Sequence, residues 1–215
     1  MKRTKILFVT LVVALLLGGF GLTAGATGDE DAVRVDVVKE IQTEDELVVY
    51  KVRVPEFAGL ADLDFQGQLN ETILDRALED VETVESQAEE FAVLAEIFID
   101  FDVKSSGDIL SLVVNNYMYT GGANGITRID TYNIDTKNCV ILGIADLFKP
   151  ASEYEEVINK GIRAQIKDKV ENEDATFFTG EDGFVTISDE QDFYIEDNDL
   201  VILFQKYDIA PGVMG

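Results

Sequence analysis

The order of segments in the sequence predicts an α+β fold, an antiparallel meander sheet with two amphipathic helices packed on one side. Three observations predict it. Strand-like and helix-like stretches follow in the order strands, helix, several strands, helix, strands, whereas parallel crossovers would need strict alternation. Two stretches place apolar residues at steps of three and four, the repeat of a helix that buries one face. Hydrophobic residues make up 47% of the 215-residue chain, enough for a packed core despite the charge, which excludes wholesale disorder.

The first 26 residues stand apart from that fold. Lys2, Arg3 and Lys5 precede an apolar run over 6–17, and small residues then lead to Ala24-Gly25-Ala26, the three-part pattern of an export segment cleaved after Ala26. Residues 6–26 also number about 20, the length of an uncleaved anchor if its glycines are tolerated. A lipid-attached form lacks its thiol, since the only cysteine, Cys139, lies far away. The remainder, 27–215, is expected to be one domain or two small lobes, 27–95 and 96–215.

Valine-rich residues 31–38 and 46–57 read as a hairpin turning at Thr43-Glu44-Asp45, with Pro55 closing its second strand. Between 62 and 91, Leu69, Ile73, Ala77, Val81, Val84, Ala88 and Phe91 form the buried face of a long helix. The period then drops to two: Ile97, Ile99, Phe101 and Val103 alternate with Phe98, Asp100 and Asp102. A turn at Ser105-Ser106-Gly107-Asp108 leads to a return strand over 109–119, a glycine-rich loop to a strand over 126–134, and a turn at 135–138 to a short strand at 140–142. Ser152 with Glu155 has the form of a capping box opening a second helix, striped by Tyr154, Val157, Ile158, Gly161, Ile162 and Ile166. Residues 171–188 show no period and are expected to be mostly loop. A last hairpin, 192–195 and 200–207, turns at Glu196-Asp197-Asn198-Asp199.

Seventeen basic residues stand against 42 acidic ones, a net charge of −25 that becomes −28 once Lys2, Arg3 and Lys5 are removed. Such a chain is expected to avoid nucleic acid and anionic lipid, both polyanions bound through Lys and Arg, and to meet a membrane only through an uncleaved N-terminal segment. A basic protein or a cation is the electrostatically favoured partner, while the same charge also serves solubility or adaptation to salt. One cysteine cannot make an intramolecular disulfide, so stability rests on packing.

The chain has no histidine, which removes Ser-His-Asp and Cys-His catalysis and the commonest zinc and non-haem iron sites. Cys139 reads as a small buried side chain in a strand. Paired carboxylates of the glycosidase kind remain open, but among 42 acids no spacing singles out a pair. The acids at 196–199 do not fit a twelve-residue calcium loop. No cofactor or metal is expected. The most unusual local sequence is the loop around Tyr117, Tyr119, Thr120, Gly121, Gly122, Asn124 and Gly125, where three glycines permit positive φ or close backbone approach and two tyrosines offer apolar faces with polar tips. It is either a wide turn or a loop that contacts a ligand or a protein, and it lacks the Gly-Lys-Ser/Thr ending of a phosphate loop.

Three runs, Tyr119-Thr120-Gly121-Gly122-Ala123-Asn124-Gly125, Thr131-Tyr132-Asn133-Ile134-Asp135-Thr136-Lys137 and Ala145-Asp146-Leu147-Phe148, come first. They are followed by Asp192-Phe193-Tyr194-Ile195 and by Phe204-Gln205-Lys206-Tyr207-Asp208-Ile209-Ala210-Pro211-Gly212. Together they resemble the extracytoplasmic domain shared by the anti-sigma factor RsiV, the non-catalytic N-terminal part of the peptidoglycan deacetylase PdaC and many exported bacterial proteins. The resemblance covers nearly all of 27–215 and implies an α+β domain outside the membrane; in RsiV that domain acts as a receptor for lysozyme. It departs from the pattern in three places. Asn124 stands where the family loop usually has histidine. Only five residues precede the apolar segment, so no cytoplasmic domain to hold a sigma factor is expected. The chain stops at Gly215, where relatives usually continue, so a truncated sequence is expected.

The expectation is an exported binding or sensing module of the bacterial cell envelope, secreted or anchored at the surface, taking a basic protein such as lysozyme or cell-wall glycan through the 117–125 loop. The rival expectations are a cell-envelope hydrolase using paired carboxylates and an accessory domain of a peptidoglycan-modifying system.

Overall fold

The computed structural model describes residues 11–13, 32–44 and 47–214. The chain divides into two compact units, residues 18–141 and residues 142–215 with 1–17. The expected export segment and its cleavage point after Ala26 lie outside the described residues, except for Leu11–Val13, which form a short strand, β1. Among the described residues no helix is long and apolar enough to cross a membrane.

The larger unit is built on a six-stranded sheet. Its strands are β2 (Arg34–Glu44), β3 (Val48–Ala58), β4 (Ala95–Ser105), β5 (Ile109–Tyr119), β6 (Ile126–Asp135) and β7 (Val140–Ile141), and they lie side by side in that order. Every neighbouring pair is antiparallel except β3 and β4. The sequence reading had no parallel pair. One arises because the helix between these strands, α1 (Leu63–Phe91), carries the chain back to the end where β3 began, so β4 starts in the same direction. Strand pairing thus runs unbroken across residues 95 and 96, and the two units adjoin in sequence at 141 and 142.

β3 does not stop at Pro55 as the sequence suggested. Pro55 stands opposite Val37, beside a shift in the β2 register between Val37 and Lys39, and pairing with β4 has already ended at Val52. Its missing N–H therefore interrupts no bond to β4. The Asp62 carboxylate caps α1, accepting from the backbone N–H groups of Asp64 and Phe65 at 3.0 Å each. Asn70 then ties the first turns of the helix to β3, accepting from the Phe57 N–H at 2.7 Å and donating to its carbonyl at 2.9 Å.

Leu69, Ile73, Ala77, Val81, Val84 and Ala88 are buried against Val52, Val54, Ile97, Ile99, Leu110, Leu112 and Ile134 in one core. Phe91, expected on that face, is 59% exposed. The helix ends one residue later at Ala92, whose left-handed φ of 50° turns the chain away before another core layer forms. On β4, Ile97 and Ile99 are buried but Val103 is exposed, because β3 no longer runs alongside beyond Ile99. Cys139 is buried as expected, although in the turn before β7 rather than in a strand, at a left-handed φ of 52°.

The smaller unit holds α2 (Tyr154–Asn172) and a sheet in which β9 (Asp199–Ile202) lies between β1 and β8 (Phe193–Glu196). Asp197 and Asn198, at φ 54° and 68°, make the tight turn of the last hairpin, a geometry with positive φ at both central positions that Asn and Asp tolerate. β9 ends at Ile202, short of the expected 207. The chain turns at Gln205, whose N–H donates to the Asp208 carboxylate at 2.7 Å. The expected capping box at Ser152 does not form. Glu153 occupies the cap without a side-chain bond, and Glu155 and Glu156 in the first turn suit the positive end of the helix dipole instead. Ile158 and Ile162 are buried while Val157 is exposed. Buried Asn159 donates to the Thr186 hydroxyl at 2.7 Å and accepts from the Ile187 N–H at 2.9 Å, which pins part of the period-free segment to α2.

Candidate functional site

The 117–125 loop joins β5 to β6 at the end of the sheet where α1 finishes. Its tyrosines do different things. Tyr117 lies over β4, its ring stacked on Phe98 at 5.5 Å between centroids, and burial, with Glu96 and Tyr119 adding to it, pushes its phenol above the ordinary value. A Cβ on Gly125 would fall 2.4 Å from the Tyr117 ring, so glycine there is a packing requirement. Tyr119 folds back to donate from its hydroxyl to the Gly122 carbonyl at 3.0 Å. Gly121 and Gly122 take left-handed φ of 99° and 91°, and a Cβ on Gly121 would sit 3.5 Å from Val93, just past the end of α1. Thr120 is half-buried, and Gly122, Ala123 and Asn124 are exposed at the tip.

A second cluster, which the sequence reading missed, lies under α1. Arg128 on β6 grips two carboxylates: its Nη1 and Nη2 donate to Asp80 at 2.9 and 2.6 Å, and its Nε and Nη2 donate to Asp130 at 3.1 and 3.0 Å. Arg76, one turn before Asp80 on α1, bonds Asp130 from the other side at 2.8 Å. The Asn116 amide on β5, directly across the ladder from Arg128, donates through Nδ2 to Asp80. The bonds to Asp80 raise the Arg128 pKa further above its already high value, against the opposing effect of burial. Tyr132 flanks the group; burial, reinforced by Asp130 and opposed by Arg76 and Arg128, raises its phenol. The cluster lines a small recess of about 10 Å³, open to solvent on one side.

The cluster left a trace in the sequence. Asp80 falls between Ala77 and Val81 on the apolar stripe of α1, and only 9% of it is exposed. An acid on a buried face needs a cation, and Arg128, Asp130 and Tyr132 alternate onto the sheet face that α1 covers. Which cation it meets follows only from the strand register and from where α1 crosses the sheet.

The architecture is a six-stranded sheet carrying one long helix, followed along the chain by a smaller helix-and-hairpin unit. Residues 41–127 match the family model described as Deacetylase PdaC, and residues 145–215 match the protein family of unknown function DUF3298. The two matches lie in series along the chain. It is 32% identical over 183 residues to the anti-sigma-V factor RsiV of Bacillus subtilis strain 168, an alignment covering 82% of this chain and 63% of RsiV. A crystal structure of a DUF3298 family member from Bacteroides fragilis shares the fold, with a TM-score of 0.60 at 18% identity, covering 86% of this chain and 88% of that one.

Proposed function

We propose that the chain is an exported binding module of the cell envelope that takes a basic protein such as lysozyme, with the 117–125 loop and the adjoining end of α1 as its contact surface. The observation that carries this reading is the 32% identity to RsiV along most of the chain. The surface chemistry supports it. Glu89 and Glu90 lie in the last turns of α1, where no basic residue offsets the negative end of the helix dipole. They raise the negative potential there at some expense of helix stability. Phe91, Leu94 and Ile126, exposed at 59%, 54% and 61%, add apolar surface near the same end of the sheet. Asn124 offers an amide where the family loop usually carries imidazole, so any contact made here is neutral at all working pH values.

The match of 41–127 to Deacetylase PdaC supports a second reading, in which the same loop takes cell-wall glycan. The hydrolase alternative gains nothing from the cluster under α1. Arg128 bonds both Asp80 and Asp130, occupying the oxygens that a general acid and its partner would turn toward a substrate.

The test is calorimetric titration of the purified protein, residues 27–215, with hen-type lysozyme at low and high salt, beside an unrelated basic protein. Binding in the micromolar range or tighter that survives salt and is absent with the control is the expected result. Binding that salt abolishes and the control shares would reduce the interaction to bulk charge attraction and leave glycan to be tried.

A further inference from the structure

The Asn116 side chain is 1% exposed and lines the recess beside Asp80 and Arg128. Its orientation is settled by chemistry: Nδ2 donates to the Asp80 carboxylate, and exchanging the amide's oxygen and nitrogen would set two acceptors against each other. That leaves Oδ1 as a buried acceptor with no donor in the protein. Leaving a buried acceptor unmet forfeits its hydration with nothing in return, so such groups nearly always have a partner.

No neighbouring protein group donates to Oδ1. Arg128 commits its Nε–H, both Nη2 protons and one Nη1 proton to Asp80 and Asp130, and Arg76 turns to Asp130. The four charges of Arg76, Arg128, Asp80 and Asp130 cancel, so the site favours neither a cation nor an anion. Among the described residues no group of three or more potential metal-ligating His, Cys, Asp or Glu side chains exists. Apolar walls from Val54, Ile73 and Val114 close the recess down to room for about one water-sized group.

We infer that the recess is a binding site for a single neutral hydrogen-bond donor, a resident water that donates to Asn116 Oδ1 and accepts from the guanidinium side of the cluster. This water is the last member of a polar seam joining α1 to β5 and β6. It reconciles a buried asparagine with an otherwise apolar helix–sheet interface.

Two measurements on the full chain test the site. A crystal structure at a resolution that places waters is expected to show one ordered water at about 2.7–3.2 Å from Asn116 Oδ1. In solution, the Asn116 side-chain amide protons are expected to show a nuclear Overhauser effect to water with the sign of a molecule that tumbles with the protein. Asn116→Leu, which removes the acceptor, should abolish the ordered water. A metal ion with several oxygen contacts of about 2.3–2.6 Å, an amide whose Oδ1 has found a protein donor, or no density within reach would each overturn the inference.

Discussion

At the scale of single residues, the cluster under α1 is where one substitution should matter most. Asp80 and Arg128 have side chains only 12% and 26% exposed, so removing one strands the other's charge in a poorly solvated place. Arg128→Ala is expected to cost about 2–4 kcal/mol in urea unfolding, whereas Asp80→Leu with Arg128→Met should cost clearly less than either single change. Equal or additive losses would show that the pair is solvated and weak. Tyr132 supplies a pH prediction. Burial raises its folded pKa above the unfolded value near 10, so the fold holds the neutral phenol. Its contribution is whole below that ordinary value and is lost as pH rises through the raised one. Ultraviolet titration should therefore show Tyr132 among the late-ionising phenols, with Tyr117 and Tyr154, and Tyr132→Phe should remove its part of that late absorbance along with its share of the alkaline loss of stability.

At the scale of elements, the Tyr117 ring is the packing centre of the β5–β6 connection. Tyr117 fills the space where a side chain at position 125 would go and stacks on Phe98 across the ladder. Gly125→Ala is expected to destabilise by about 1–3 kcal/mol through overpacking. Adding Tyr117→Ala should make the double variant less destabilised than the sum of the singles, because the clash disappears with the ring. Strict additivity in thermal unfolding would mean that the ring had already moved aside. The same change disturbs the proposed binding loop, so it should also weaken lysozyme binding more than a stability change alone accounts for.

For the whole molecule, a net charge of −25 opposes compaction. Raising sodium chloride from about 0.01 M to about 0.5 M shortens the screening length several-fold, so Tm should rise across that range. A Tm that falls with salt would show that exposed ion pairs such as Arg53–Asp100 and Lys137–Asp108 outweigh the repulsion.

The fold class, the long helix and its buried stripe, the meander from residue 95 to 141 and the final hairpin were legible in the sequence. Each is a local pattern: a period of 3.6 or 2 under one covering face, broken by residues that favour turns. Val103 and Phe91 followed the pattern without being buried, because burial depends on what lies alongside. Tertiary structure alone decided the parallel β3–β4 pair, the stacking of Tyr117 over Gly125, and the meeting of Asp80, Asn116, Arg128 and Asp130. These four residues span 50 positions of chain, and their contact depends on the strand register and on where α1 crosses the sheet. Periodicity within any one segment carries neither quantity.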